Sequence, residues 1–169
     1  MLNEKISLAD FNGTFVYNGR TPKDFFRGKT AKSRQLLPAD TILWKCSDHG
    51  ISPSHAITEW WVIGDHLDVV KQRCAGLRTS VQRYCRTRYA VIWEWKSGMS
   101  QIVTARLLQG VYAFAGETAA VGTQYSVEGA DTKLKNIALI GGDPQLCIPN
   151  LTTQHISEIS QKPSNLSLA

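Results

Sequence analysis

The sequence predicts an α+β fold in a single domain, and three observations lead there. Short apolar and β-branched runs crowd the C-terminal half with no helical pattern between them, which argues against a doubly wound parallel sheet. One apolar stripe at helical spacing begins near Asp65 and runs on to Tyr84 or Cys85, which predicts one long helix. At 169 residues, with 43% hydrophobic and 20% charged side chains, the chain can bury a core without disulfides and is not disordered. The expected domain covers residues 1–160, and a Ser-, Asn- and Pro-rich tail over 161–169 is expected to be mobile.

Along the chain, two Asn-Gly pairs bracket Thr14-Phe15-Val16-Tyr17, which reads as a short strand between turns. The basic stretch from Lys23 to Arg34 reads as an exposed loop or a short helix. Thr41 to Cys46, after Pro38, reads as a strand, followed by a polar loop that holds His49 and His55. Trp60-Trp61 is expected on a short helix or at its mouth. In the helix that follows, Asp65 and Asp68 supply a cap and an acidic first turn, and Gly76 weakens the middle by about 1 kcal/mol relative to alanine. The stripe Leu67, Val70, Cys74, Leu77, Val81 and Tyr84 faces a core, while Lys71, Arg73, Arg78, Arg83 and Arg86 form the opposite face. Strands are then expected at Tyr89–Trp95, Ile102–Leu108, Val111–Ala115, Leu134–Ile140 and Ile156–Ile159, with a loop over Gly116 to Gly122.

Composition excludes several classes. No apolar run approaches the ~18 residues of a membrane span. The start, Met1-Leu2-Asn3-Glu4-Lys5, lacks a secretory signal, so synthesis in the cytoplasm is expected. Cys46, Cys74, Cys85 and Cys147 are far apart, without Cys-x-x-Cys or zinc-type His spacing, so they read as free buried thiols and no metal is expected. The excess of 19 Lys and Arg over 14 Asp and Glu gives +5, a field able to attract phosphate-bearing ligands.

The most chemically loaded stretch is Gly141-Gly142-Asp143-Pro144-Gln145-Leu146-Cys147-Ile148-Pro149. Two glycines and a proline specify a tight turn, and Gln145 opens the strand that follows. An amide there both donates and accepts hydrogen bonds but is no base, which suits orienting a sugar hydroxyl. The alternative is a plain turn with Gln145 facing solvent.

Four pieces taken in order resemble bacterial toxin domains of the ADP-ribosyltransferase fold. They are Leu43-Trp44-Lys45, Trp60-Trp61, Val111-Tyr112-Ala113-Phe114-Ala115-Gly116 and the Gly-Gly-Asp-Pro-Gln stretch. The resemblance spans roughly residues 40 to 156 in scattered blocks and is nearest the branch of necrotising-toxin-like NAD glycohydrolases. It implies a split sheet of mostly antiparallel strands, NAD as substrate, and cleavage of the nicotinamide–ribose bond through a cation-like sugar. It also implies that Gln145 contacts the ribose as the catalytic residue. Lys45 takes the first-strand position where relatives more often have Arg or His, with a plain outward-facing strand residue as the alternative, and Trp44, Trp60 and Trp61 line the NAD site or, for the Trp pair, simply pack under it. The implied partners are NAD, a protein or nucleic-acid acceptor, and a cognate immunity protein. If the protein leaves its cell, a start without secretory-signal character implies delivery by a secretion system or within a larger toxin.

Departures bear on the chemistry. Arginine-modifying relatives carry Glu two residues after the first Gln or Glu, where this chain has Cys147, a neutral thiol at its ordinary pKa. Hydrolysis of NAD, or ADP-ribosyl transfer to an acceptor other than arginine, is therefore favoured over arginine transfer. Lys45 gives a point charge without the bidentate geometry of Arg, and the Ser-Thr-Ser strand of the family has no counterpart. Glu117, His49 and His55 are further candidates for acid–base work, with turn or loop residues as the plain alternative.

Two rival readings stand beside this one. The +5 charge and basic helix face suit an RNase-like toxin or an RNA- or DNA-binding module. A non-catalytic partner-binding or immunity protein would instead show Lys45 and Gln145 on opposite sides of the domain. The NAD reading expects Lys45, a Trp ring and Gln145 in one hollow.

Overall fold

The computed structural model describes residues 1–16, 19, 21–48, 57–91, 99–120 and 139–163. Among these residues, seven strands form one antiparallel sheet: β1 (Ser33–Leu37), β2 (Ile42–Ser47), β3 (Trp60–Ile63), β4 (Gln101–Leu107), β5 (Val111–Glu117), β6 (Pro144–Cys147) and β7 (Ile156–Pro163), in the order β1-β5-β6-β3-β2-β4-β7. Helices α1 (Leu8–Thr14), α2 (Pro22–Phe25), α3 (His66–Gly76) and α4 (Val81–Arg88) pack on it. The α+β class and the antiparallel sheet agree with the expectation from sequence.

Strand β3 divides its pairing. Trp60 and Trp61 pair with Cys147 and Leu146 of β6, whereas Val62 and Ile63 pair with Trp44 and Leu43 of β2. The sheet is curled. Leu37 near one edge and Ile156 near the other meet in a single buried cluster with Leu43, Trp61, Val103, Leu107, Val111 and Leu146. Strands alone supply most of that cluster, so the curl of the sheet closes its own core.

The other face has two separate covers. Helices α3 and α4 bury Val70, Cys74, Val81, Tyr84 and Cys85 against Trp44, Cys46, Val62 and Ile102. Helix α1 and the α2 segment place Phe11 and Phe26 against Phe114, Cys147 and Trp60. Phe11 stacks on Phe114 with centroids 4.1 Å apart. The four cysteines are free and buried.

Several expectations need correction. The single long helix is two, because Gly76 ends α3, Arg78 takes a positive φ of 50°, and the Ser80 hydroxyl accepts from the Arg83 amide to start α4. The apolar periodicity continues across the break since both pieces pack on one cluster, yet Leu77 in the break is 67% exposed. Thr14 ends a helix rather than starting a strand: a Ser7–Asp10 capping box begins α1, and Phe11 anchors it. Trp60-Trp61 lies on a strand. Strand β1 was hidden by its polar composition, which an edge position tolerates; Arg34 stacks on the Tyr112 ring at 3.4 Å. Gln161, Lys162 and Pro163 complete β7 against Val103, Ile102 and Gln101 instead of joining a tail. The expected strand at Tyr89–Trp95 falls mostly, and that at Leu134–Ile140 largely, outside the described residues, as do His49 and His55.

Candidate functional site

Register decides which side chains can meet. Residues directly opposite each other share a face, as do residues two apart on a strand. Gln145 is opposite Gly116, and Cys147 is opposite both Phe114 and Trp60. Trp60 shares its face with Val62, which is opposite Trp44. Gln145, Trp60 and Trp44 therefore project from one face, whereas Lys45 and Trp61 project from the other.

The surroundings agree with that register. Trp61 is fully buried among the strand-built core. Lys45, 7% exposed, donates to Thr58 Oγ1 at 2.8 Å and lies over the Trp61 ring at 4.5 Å. The hollow expected to unite Lys45, a Trp ring and Gln145 is thus not formed. Trp44 is also fully buried, edge-on to Tyr89 at 6.0 Å beneath α4. Of the expected aromatic residues, Trp60 alone shares Gln145's face while keeping partial exposure; its ring packs on Phe25 at 4.4 Å and Phe26 at 5.8 Å.

What gathers near Gln145 is a polar seam between the two helical covers. Its centre is Asp143, whose side chain is 1% exposed. Asp143 Oδ1 accepts from Arg88 Nε at 2.7 Å, and Arg88 Nη2 is also 2.7 Å away. Asp143 Oδ2 accepts from the Tyr84 hydroxyl at 2.7 Å, and that hydroxyl accepts from Arg73 Nη1 at 2.9 Å. Arg73 Nη1 is itself 3.5 Å from Oδ2. His66 Nε2 stands 3.8 Å from Oδ2, too far for a hydrogen bond, and has no hydrogen-bond partner among the described residues.

The turn is fixed by its backbone. Gly141 has φ +60° and donates to Thr87 O at 3.1 Å; a Cβ there would lie 2.5 Å from Thr118 O. Gly142 has φ +92° and donates to Thr118 O at 2.9 Å. A Cβ on Gly142 would sit 3.3 Å from Arg88 Nη2 and 3.6 Å from Arg27 Nη1, so two guanidinium groups reach the space beside this glycine. Arg27 pairs with Glu117 at 3.4 Å, with both side chains largely exposed. The seam therefore holds the cations Arg27, Arg73 and Arg88 against the carboxylates Asp143 and Glu117, one cation in excess.

Burial sets the protonation states. It pushes the Tyr84 phenol up, so Tyr84 donates to Asp143 as a neutral group. It also pulls His66 below the ordinary histidine value, against the attraction of Asp143, so the ring is neutral near pH 7. Cys147 is fully buried, and burial holds its thiol well above the usual range, so it is no base two residues beyond Gln145. Among the described residues no three His, Cys, Asp or Glu side chains gather as a metal-binding group. No helix among them is long and apolar enough to cross a membrane.

Asp143, Arg88, Tyr84, His66 and Arg27 are not candidate site residues in the sequence, and Arg73 enters only as part of the basic helix face. A usable signal existed: Tyr84 and Arg88 are four apart on α4, and His66 and Arg73 are seven apart on α3, each pair on one helix face. Arg73 instead reads in sequence as part of a solvated basic face.

No family model matches the chain, and no curated protein does. Among solved structures, that of Tne2 in complex with Tni2 is similar over 78% of this chain and 88% of that chain, with a TM-score of 0.43 and 12% identity. So loose a likeness identifies neither family nor function.

Proposed function

We propose that this chain is an NAD-consuming enzyme that breaks the nicotinamide–ribose bond, with the seam around Gly142 and Gln145 as its site. One observation carries the reading. Two guanidinium groups reach the space beside Gly142, three residues before Gln145 and just ahead of the strand that carries it, which supports a phosphate-binding charge near a sugar-orienting amide. In this reading Arg88 and Arg27 hold the pyrophosphate, Gln145 hydrogen-bonds the ribose, and Trp60 offers an apolar wall. Gln145 does not take a proton; it orients the sugar as positive charge develops on departure of nicotinamide. Water then attacks, giving ADP-ribose, nicotinamide and a proton.

The divided pairing of β3 supports a split sheet of ADP-ribosyltransferase type. The buried neutral thiol of Cys147 supports hydrolysis over arginine transfer, since no carboxylate stands there to activate an acceptor. A toxin role, with a cognate immunity protein as partner, follows from the resemblance in sequence.

The experiment is to mix purified protein with NAD and follow nicotinamide by chromatography. Release by the wild type and a fall of about 100-fold or more in Gln145→Ala are expected. Equal rates for the two proteins would remove Gln145 from the chemistry. A second reading, a partner-binding domain without catalysis, is favoured by one observation: Lys45 and Gln145 lie on opposite faces of the sheet. Absence of nicotinamide release from folded wild type, with and without candidate acceptors, would leave that reading standing.

A further inference from the structure

We propose that Asp143 is a positioning residue for the Gln145 site, fixing both the turn that carries Gln145 and the direction in which Arg88 offers its remaining N–H groups to a phosphate. The identity of the substrate rests on the NAD reading; the geometry does not. Three chain segments meet at this residue. Its carbonyl accepts from the Thr118 amide at 3.0 Å and lies 3.3 Å from Thr118 Oγ1, which donates to Arg88 O at 2.7 Å. The end of β5, the C-terminus of α4 and the Gly-Gly turn are thereby tied together. Its carboxylate takes Arg88 on one oxygen and Tyr84 on the other, so the guanidinium plane is held on one edge while the opposite edge stays available. Gly142 lies against that group: any side chain at position 142 would meet Arg88 Nη2 and Arg27 Nη1, closing the gap between them.

A simple charge argument gives the opposite expectation, which makes the proposal testable. Asp143 is a buried anion in a seam that binds anions. If it acted only through its charge, neutralising it would leave Arg27, Arg73 and Arg88 less compensated and tighten anion binding. If it acts by holding Arg88 and the turn, neutralising it loosens anion binding and slows the chemistry.

The test is calorimetric titration of inorganic pyrophosphate into wild type, Asp143→Asn and Tyr84→Phe, with kcat and KM for nicotinamide release measured on the same proteins. Asp143→Asn is expected to weaken pyrophosphate by about 10-fold and to lower kcat by about 10-fold, as for loss of an orienting charge-assisted contact. Tyr84→Phe removes the bond to Oδ2 and the one the hydroxyl accepts from Arg73 but leaves Arg88 on Oδ1, so about 3-fold in each is expected. Cys74→Ala, a core substitution on the buried face of α3, controls for instability and is expected to change neither.

Pyrophosphate bound as tightly or more tightly by Asp143→Asn, with kcat unchanged, overturns the proposal. If Asp143→Asn does not fold, unchanged affinity and kcat in Tyr84→Phe overturn it instead. Wild type that binds no pyrophosphate overturns it as well. Wild type that binds pyrophosphate but releases no nicotinamide removes the NAD reading alone, and Asp143 is then judged on the pyrophosphate affinities.

Discussion

The two faces of this sheet are covered in different ways, and the difference locates the chemistry. On one face the strands curl over themselves, so Trp61, Leu43, Val103 and Leu146 share a continuous core. Lys45 is absorbed there by Thr58 and the Trp61 ring. On the other face two helical layers meet without merging, and the seam collects Asp143, Arg88, Arg73, Tyr84 and His66. A continuous core leaves no space for a polar ligand, whereas a seam between separate covers can hold charge partly shielded from water.

The sharpest way to break this contrast is at the turn. Gly141→Ala would drive a Cβ to within 2.5–2.7 Å of the Thr118 and Ala119 backbone, which cannot swing aside as a side chain can. A loss of about 2–3 kcal/mol in urea unfolding is expected, together with loss of nicotinamide release, because the strain falls where Gln145 is set. A mild change in both would mean the turn is looser than its geometry implies. Next in size, Arg27→Ala removes an exposed charge at the rim of the seam. KM for NAD is expected to rise about 3-fold, the effect shrinking as salt increases, with kcat little altered.

Lys45→Met sets the other face against these. Nicotinamide release should stay within about 2-fold of wild type while the melting temperature moves, as for a side chain that serves packing. A large fall in kcat would return Lys45 to the site and undo the contrast. The smallest effect concerns pH. Burial holds the His66 ring below its ordinary value, so below about pH 6.5 the unfolded chain binds a proton that the folded chain refuses. Stability from this source is complete above that pH and is lost as pH falls through the window beneath it. His66→Gln should flatten that acidic slope in melting-temperature measurements; an unchanged slope would assign it to other groups.

Much of the scaffold was readable from the chain. Apolar runs in β2, β4 and β5 carry enough β-branched and aromatic residues to declare themselves, β6 is announced by the Gly-Gly-Asp-Pro turn before it, and Asp65 marks the start of α3. Strand β1 was not legible, because Ser33-Arg34-Gln35 pairs on one edge only and needs no apolar alternation. The helix break was half visible: Gly76 and Ser80 are stop and start signals, but a shared core behind both helices keeps the apolar period running through. At the site, Gln145 could be singled out because glycines and proline announce its turn. Its neighbours could not, since Arg88, Tyr84 and Arg73 converge on Asp143 across 55 or more residues of sequence, and such convergence exists only after folding.

The most direct test is to titrate ADP-ribose into the isotopically labelled protein and map which backbone amides shift. Binding at the seam predicts that the shifts concentrate at Gly141 to Gln145, Thr118, Arg27 and Arg88. Shifts centred on Lys45, Thr58 and Trp61, or none at saturating ligand, would contradict it.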